Sequence, residues 1–157
     1  MFNQLKSIML TGIIVVLVTF GSRSLWAQNM LTIQPVFKEA GIAAIYEINF
    51  TVSQAIPADA QFVIHFPTEF DLTKVNMAGS ATINGGFITK VQGSDVTLTR
   101  SGLGDVVTAG QPVKLQFATV KNPDRSADYS VTVEIISGTN TRILEVENQV
   151  QIVSKEK

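Results

Sequence analysis

From residue 28 onward, apolar side chains recur at every second position, and no helical stripe of apolar residues appears. One early run carries only apolar residues on one face and only polar residues on the other. The apolar members of that run are Tyr46, Ile48, Phe50 and Val52. A two-residue period is typical of a strand with one buried face, because successive side chains point to opposite sides of a sheet. The pattern therefore predicts an all-β domain.

Proline and glycine divide this pattern into short strands. Pro57 and Pro67 end two runs, and proline is tolerated there because it lacks the N–H that an interior ladder needs. Gly93 and Ser94 lie at the centre of a hairpin, where glycine in the first central position predicts a type II′ turn. A weaker strand is expected within residues 79–86. Regular turn signals between short strands predict an antiparallel Greek-key β-sandwich of about 7–8 strands.

The connection of residues 121–128 contains Pro123, six residues ahead of Tyr129, which opens a clean alternating run. Because proline interrupts a ladder, this segment must join two strands, and Asn122 ahead of the proline favours a turn. A tyrosine at the start of the next strand can reach back and bond upstream backbone, as in the tyrosine corner of Greek-key sandwiches. We predict this role for Tyr129. An ordinary core or rim tyrosine is the alternative.

In its order of segments, the chain resembles the immunoglobulin-like or fibronectin-type sandwich modules of bacterial and archaeal secreted or cell-surface proteins. Those modules often pair a strand that ends in Phe-Pro, here at Pro67, with a later Asn-Pro, here at Pro123, and then a tyrosine, here Tyr129. The likeness covers most of residues 31–153. It implies an immunoglobulin-like β-sandwich that serves as a spacer, assembly unit or binding domain, and it implies little about chemistry.

Residues 1–27 have the layout of a secretory signal peptide helix, with a basic start at Lys6, an apolar stretch over residues 8–20 and a short polar end. The apolar stretch is shorter than the roughly 20 residues that cross a membrane, so an uncleaved anchor is the less favoured alternative. We expect cleavage after Ala27 or after Ser24. The remaining residues, 28–157, should form a single exported domain in the periplasm, at the cell surface or outside the cell, with no stable membrane span.

Composition excludes several functions. The chain has no cysteine, which rules out disulfides, zinc–thiolate sites and thiol catalysis. Lys6 and Arg23 belong to the expected signal peptide, so the domain keeps 10 basic and 13 acidic residues, a net charge of −3. A nucleic-acid-binding domain would be basic, so we expect no nucleic-acid partner. No cofactor motif is present either.

Few residues could carry chemistry. His65 is the one histidine, and a catalytic triad also needs a nucleophile and an orienting acid beside it. Alternation places His65 opposite the apolar face of its run, which favours an ordinary surface residue. Two acidic pairs lie in loops, Glu69 with Asp71 and Asp124 with Asp128. Calcium takes six to eight oxygen ligands, so solvated turn acids are favoured over a calcium site, although a weak site in the Asp124/Asp128 loop stays open. We therefore predict no catalytic, cofactor-binding or metal-ligating residues.

Carbohydrate binding on a sandwich usually depends on exposed aromatic side chains. The one tryptophan, Trp26, lies in the expected signal peptide, Tyr46 belongs to an apolar face, and Tyr129 is assigned to the corner. The aromatic residues left as platforms are Phe37, Phe70 and Phe87. Three phenylalanines support carbohydrate binding only weakly.

These observations favour an exported, non-enzymatic β-sandwich with a structural, assembly or protein-binding role at the cell surface or envelope. Edge strands are natural docking sites, so a protein partner or self-association by β-augmentation is expected. The alternative is an extracellular module that binds carbohydrate or another polymer. A hydrolase is the least favoured class, and it would require His65 to meet a carboxylate and a hydroxyl in a cleft.

Overall fold

The alternating runs form strands in the computed structural model, which describes residues 31–155. That part of the chain contains nine strands and no helix. The strands are β1 Thr32–Pro35, β2 Ala43–Thr51, β3 Gln61–His65, β4 Met77–Ser80, β5 Phe87–Gln92, β6 Asp95–Arg100, β7 Pro112–Lys121, β8 Ala127–Ile136 and β9 Arg142–Ile152.

Two antiparallel sheets pack against each other. One has four strands in the order β1-β2-β7-β4, and the other has five in the order β5-β6-β3-β8-β9. Hairpins join β1 to β2, β5 to β6 and β8 to β9, while every other connection between these strands passes from one sheet to the other. The predicted all-β sandwich is confirmed, with one strand more than the 7–8 expected.

The weak strand expected within residues 79–86 lies earlier in the chain. β4 ends at Ser80, where the hydroxyl of this residue accepts the backbone N–H groups of Thr82 and Ile83 at 3.1 and 3.0 Å. A serine that bonds nearby backbone in this way competes with the ladder and turns the chain. The turn carries Ile83 into the core, where it is buried.

The hairpin between β5 and β6 has the predicted turn. Gly93 has a φ of +62°, whereas Ser94 is not among the described residues with positive φ. A type II′ turn has positive φ only at its first central residue, whereas a type I′ turn has positive φ at both central residues. Gln92 and Asp95 face each other across the turn and begin the ladder.

The core lies between the sheets and is rich in aromatic rings. Tyr46, Phe62 and Phe117 are at most 1% exposed. Full burial of a large apolar side chain contributes about 1.5–3 kcal/mol, so these rings provide much of the stability. Phe70 is also buried, with its ring 5.0 Å from that of Phe66. The prediction that Phe70 is an exposed platform is therefore wrong.

Tyr129 forms the predicted corner. Its hydroxyl donates to the carbonyl oxygen of Arg125 at 3.0 Å, four residues upstream in the connection between β7 and β8. Its ring packs edge-on against Phe70 with 5.3 Å between centroids. The hydroxyl fixes the connection while the ring closes the end of the sandwich.

We expect Tyr129→Phe to lower the free energy of unfolding by about 0.5–1.5 kcal/mol, the usual net contribution of one hydrogen bond. Urea unfolding followed by circular dichroism would measure it. The phenylalanine keeps the contact with Phe70, so the denaturant slope should stay unchanged. A variant as stable as the native chain would show that the hydroxyl does not hold the connection.

Asn122 has a larger role than the turn expected of it. The side chain is 1% exposed and makes three hydrogen bonds. Its Oδ1 accepts the Tyr46 hydroxyl at 2.7 Å, and its Nδ2 donates to the carbonyl oxygens of Phe37 and Glu39, both at 2.9 Å. Asn122 thus ties the loop between β1 and β2 to the end of β7.

The expected signal peptide lies outside the described residues, so its cleavage and the 28–157 domain boundary stay predictions. Within residues 31–155, no helix has the length and apolar character needed to cross a membrane.

Candidate functional site

His65 lies on the open outer face of the five-stranded sheet, and its side chain is 39% exposed. Its Nδ1 is 2.8 Å from Oδ1 of Asp95, which is its cross-strand partner on β6. Its Nε2 is 3.8 Å from Oε1 of Glu134 on β8. Within the described part of the chain, Asp95 is its one side-chain hydrogen-bond partner. This is a cross-strand polar pair of the kind that stabilises sheets. It provides a carboxylate but no nucleophile.

The loop acids serve local structure. Asp71 accepts both the backbone N–H and the hydroxyl of Thr73, and these bonds hold the pKa of Asp71 below its usual value. Asp124 lies 3.2 Å from the Lys121 ammonium. Among residues 31–155, no three His, Cys, Asp or Glu side chains gather into a group that could hold a metal ion.

The two remaining candidate aromatic platforms, Phe37 and Phe87, differ in solvent exposure. Phe37 is 56% exposed, whereas Phe87 is half-buried with its ring 6.3 Å from that of Phe62. With Phe70 in the core, Phe37 is left as the single well-exposed ring of the three. One ring is a poor basis for stacking a polymer of sugars.

A feature that the sequence analysis missed lies on the outer face of the four-stranded sheet. Four apolar side chains, from strands β2, β7 and β4 and from the residue after β1, form a row that we call the apolar row: Val36, Ile45, Ala118 and Met77. Val36 donates its N–H to the Ile45 carbonyl, and Met77 faces Ala118 across the ladder. Met77 is 63% exposed, Val36 47% and Ile45 42%.

Between Ile45 and Met77 the row opens into a shallow groove of about 250 Å³, which we call the sheet groove. Its lining residues are Ile45, Met77, Ala78, Gly79, Gln116, Phe117 and Ala118. Gly79 leaves the groove open, because a side chain there would extend into empty space. The next row of the sheet is polar, since Glu47 binds the Lys114 ammonium at 2.8 Å and accepts from Gln116. These bonds lower the pKa of Glu47.

A second exposed apolar feature lies at one end of the sandwich, in the loop of residues 101–111 between β6 and β7. Leu103 is 89% exposed and Val106 is 54% exposed. Gly102 has a φ of +80°, which glycine adopts without strain, and its N–H donates to the Ala58 carbonyl at 3.0 Å. The loop therefore presents Leu103 to solvent between two bends of the chain, at Gly102 and Gly104.

The loop that carries Leu103 is held firmly. Asn84 and Asp105 bond each other twice, through Asn84 Nδ2 to Asp105 Oδ2 and Asp105 N to Asn84 Oδ1, both at 2.7 Å. The backbones approach so closely that a Cβ at Gly104 would collide with the Asn84 carbonyl. Ser101 adds a backbone bond to Gly86 at 2.9 Å.

Arg100 anchors this end of the sandwich. Its side chain is buried, and its guanidinium donates to backbone carbonyl oxygens from three loops. The short bonds go to Pro57 at 2.7 Å and Asp105 at 2.6 Å, and longer ones go to Ile56 at 3.3 Å and Asn84 at 3.5 Å. Burial lowers the pKa of Arg100, and the nearby carboxylates of Asp105 and Asp59 partly offset that effect.

Comparisons with known proteins identify a fold and no relative in sequence. No protein-family model matches the chain, and no curated protein matches it. A non-cellulosomal cohesin from the hyperthermophilic archaeon Archaeoglobus fulgidus is similar with a TM-score of 0.51 and 12% identity, over 80% of this chain and 93% of that one. Domains D2 and D3 of the major pilin SpaD from Corynebacterium diphtheriae match with a TM-score of 0.50 and 17% identity, over 77% of this chain and 50% of that one.

The fold is an immunoglobulin-like β-sandwich. The resemblance noted in the sequence is confirmed at this level, since both matched structures are modules of that kind. At such low identity the likeness concerns architecture, and each possible function must rest on the chain's own surface.

Proposed function

We propose that this chain is an exported, non-enzymatic β-sandwich module with an assembly or protein-binding role at the cell surface or envelope. The observation that carries the proposal is the apolar row with its sheet groove. An apolar strip rimmed by paired charges is typical of a protein interaction site, where a dry centre is surrounded by a polar border. Here Met77 and Ile45 provide the centre, and Glu47 and Lys114 provide part of the border.

The fold and the expected signal peptide support the proposed location at the cell surface or envelope. A non-cellulosomal cohesin and a major pilin share this architecture. Residues 1–27 have the composition of an export signal. An exported domain without a disulfide must rely on its core, and this core is extensive.

The outer faces support a binding role over catalysis. His65 meets Asp95 on an open sheet surface, where water is not excluded and no hydroxyl bonds the ring in the described residues. Nucleophilic catalysis needs a base within hydrogen-bond reach of its nucleophile. The two largest polar cavities of the described residues, about 480 Å³ beside Asp124 and Lys155 and about 470 Å³ near Thr82 and Gln111, have no aromatic lining, which weakens the carbohydrate alternative.

Edge strands offer a second docking mode that the geometry favours less. The longest edge is β9, but its outer face carries Glu145 and Glu147, and charges on an edge discourage added strands. Backbone bonds from Val153 to the Lys38 carbonyl and from Ala40 to the Val153 carbonyl also cover one end of that edge. The sheet groove is thus the better candidate for a partner.

Site-specific photo-crosslinking in the cells that make the protein would test the proposed function. A photoreactive residue at Met77 should give protein adducts, because this side chain borders the groove. The same residue at Ile88 is a matched control: Ile88 is 64% exposed, close to the 63% of Met77, but it faces Thr99 on the polar outer face of the other sheet. We expect at least a ten-fold higher adduct yield at position 77.

The same cells test export. Adducts should appear in the envelope or outside fraction, and the recovered chain should begin at residue 28 or residue 25. Equal yields at positions 77 and 88 would contradict a binding role for the groove. An uncut chain that stays in the cytosol would contradict export.

A further inference from the structure

We propose that the sheet groove binds Leu103 of a second copy of this chain, so that copies join head to tail. This inference rests on the proposed function and names the partner of the groove. Two independent features of the molecule complement each other. Leu103, which we call the knob, is fixed at one end of the sandwich, and the sheet groove lies toward the other end. Each is exposed in the single chain.

The size and the apolar chemistry of the sheet groove match the side chain of Leu103. The groove holds about 250 Å³ and is lined mainly by apolar atoms of Ile45, Met77 and Ala118. An apolar cavity of about 150 Å³ is enough to hold a benzene molecule, so one branched aliphatic side chain fits here with room for relaxation. Leu103 is 89% exposed, the largest exposure of any large apolar side chain in the described residues.

The knob is ready to bind without ordering itself first. Leu103 lies between Gly102, whose N–H bonds Ala58, and Gly104, which packs against the Asn84 carbonyl. Arg100 fixes the base of the same loop through the Asp105 carbonyl at 2.6 Å. Association normally includes the entropic cost of ordering a loop, and a preformed loop avoids most of that cost.

The two ends of the sandwich carry complementary charge. The end with Leu103 consists of residues 52–60, 81–86, 101–111 and 137–141, whose loops carry two acids, Asp59 and Asp105, and enclose one basic group, the buried guanidinium of Arg100. The opposite end, of residues 36–42, 66–76, 121–126 and 153–155, contains five basic residues and four acids. The basic residues there are Lys38, Lys74, Lys121, Arg125 and Lys155.

Lys74 and Lys121 bring basic charge beside the groove, because both line a small neighbouring cavity together with Asp71 and with Thr119, the neighbour of Ala118. Three lysines, Lys74, Lys114 and Lys121, and two acids, Glu47 and Asp71, border the groove, so an acidic end is attracted to it whereas two like ends are not. Charge complementarity therefore favours the head-to-tail arrangement over end-to-end pairing.

Geometry makes the contact non-reciprocal. The loop with Leu103 precedes Pro112 at the start of β7, whereas the groove lies at Gln116 and Ala118, roughly 15–20 Å further along the same strand at about 3.4 Å per residue. A chain cannot fill its own groove across that distance. Because knob and groove are different surfaces, each added copy leaves one of each free, and growth continues beyond a dimer.

Sedimentation velocity of the chain as cells export it would test this inference. The native protein should form a series of species larger than dimers as concentration rises, and added salt should shift the series toward monomer. Leu103→Asp and Met77→Glu should each weaken self-association by about 30-fold or more, the effect of losing a hot-spot side chain. Ile88→Asp, on the other sheet, should assemble like the native protein.

Mixing the two variants gives the decisive result. Leu103→Asp keeps an intact groove and Met77→Glu keeps an intact knob, so the mixture should form a one-to-one dimer that cannot grow. Both substitutions change exposed side chains, and unchanged melting temperatures would show that they fold normally. A native protein that stays monomeric, a mixture that does not pair, or variants that assemble normally would each overturn the inference.

The two proposals can fail separately. If photo-crosslinking at Met77 captures a different protein while the purified chain stays monomeric, the groove is a binding site but its partner is not a second copy. If the adduct has the mass of two copies, both proposals are supported. If position 77 gives no adduct and the chain stays monomeric, both are wrong.

Discussion

Replacing Asn122 by leucine is expected to lower the free energy of unfolding by about 3–5 kcal/mol, although leucine has the same number and branching of side-chain heavy atoms. The reason is the set of partners left behind. The Tyr46 hydroxyl and the carbonyl oxygens of Phe37 and Glu39 would lose their bonds to this side chain. Each buried polar group left unpaired costs about 1–3 kcal/mol. Burial also raises the pKa of Tyr46, so its phenol stays protonated and always needs an acceptor.

Chemical denaturation of three variants would measure this effect. Asn49→Leu is the matched control, because Asn49 is exposed on the outer face of β2 and its loss should change stability by no more than about 0.5 kcal/mol. Tyr46→Phe should cost about 1 kcal/mol, the net value of one hydrogen bond. In the double variant Asn122→Leu with Tyr46→Phe, part of the cost should disappear, since the hydroxyl that lacked a partner is gone. Strict additivity would contradict a direct bond.

The sheets and the corner could be predicted from sequence because their signals are local. A two-residue period defines a strand within a few residues, and Tyr129 reaches only four residues back to Arg125. The partners of Asn122 are different in kind. Tyr46 lies 76 residues away, and the two meet only because β2 pairs with β7 in one register. Nothing local distinguishes this asparagine from one that simply precedes a proline.

The candidate surfaces illustrate the same limit. In the sequence, elimination of the other aromatic residues leaves Phe70 as one of three possible platforms, but the structure buries it. Its N–H bonds the Pro67 carbonyl at 3.2 Å, and this turn directs the ring against Tyr46 and Phe66. The apolar row is invisible along the chain, since its members come from separate strands. Leu103 could have been noticed, because a leucine between two glycines has few neighbours to cover it.

Replacing Arg100 by methionine is also expected to lower the free energy of unfolding by about 3–5 kcal/mol. The alternation of β6 that buries Val96 and Leu98 also turns Arg100 inward, so its charge is buried. A buried charge is stable only if its surroundings satisfy it, and here backbone carbonyls do so. Methionine fills a similar space but leaves the carbonyls of Pro57 and Asp105 without their short bonds. Arg100→Lys should recover less than half of the loss, since one ammonium cannot reach three loops as a planar guanidinium does.

Arg142→Met is the matched control, because Arg142 is exposed and its ion pairs with Glu145 and Glu134 lie on the outer face of the sheet, where each contributes no more than about 1 kcal/mol. Hydrogen exchange separates a local effect from a general one. In Arg100→Met, the amides of Gly102 and Asp105 should exchange at least ten-fold faster than the global loss of stability requires, while the amides of β8 follow that loss. If these loop amides keep their protection, Arg100 stabilises the core without holding the Leu103 loop. Self-association through Leu103 would then survive the substitution, whereas a loop that depends on Arg100 should lose its preformed knob and assemble more weakly.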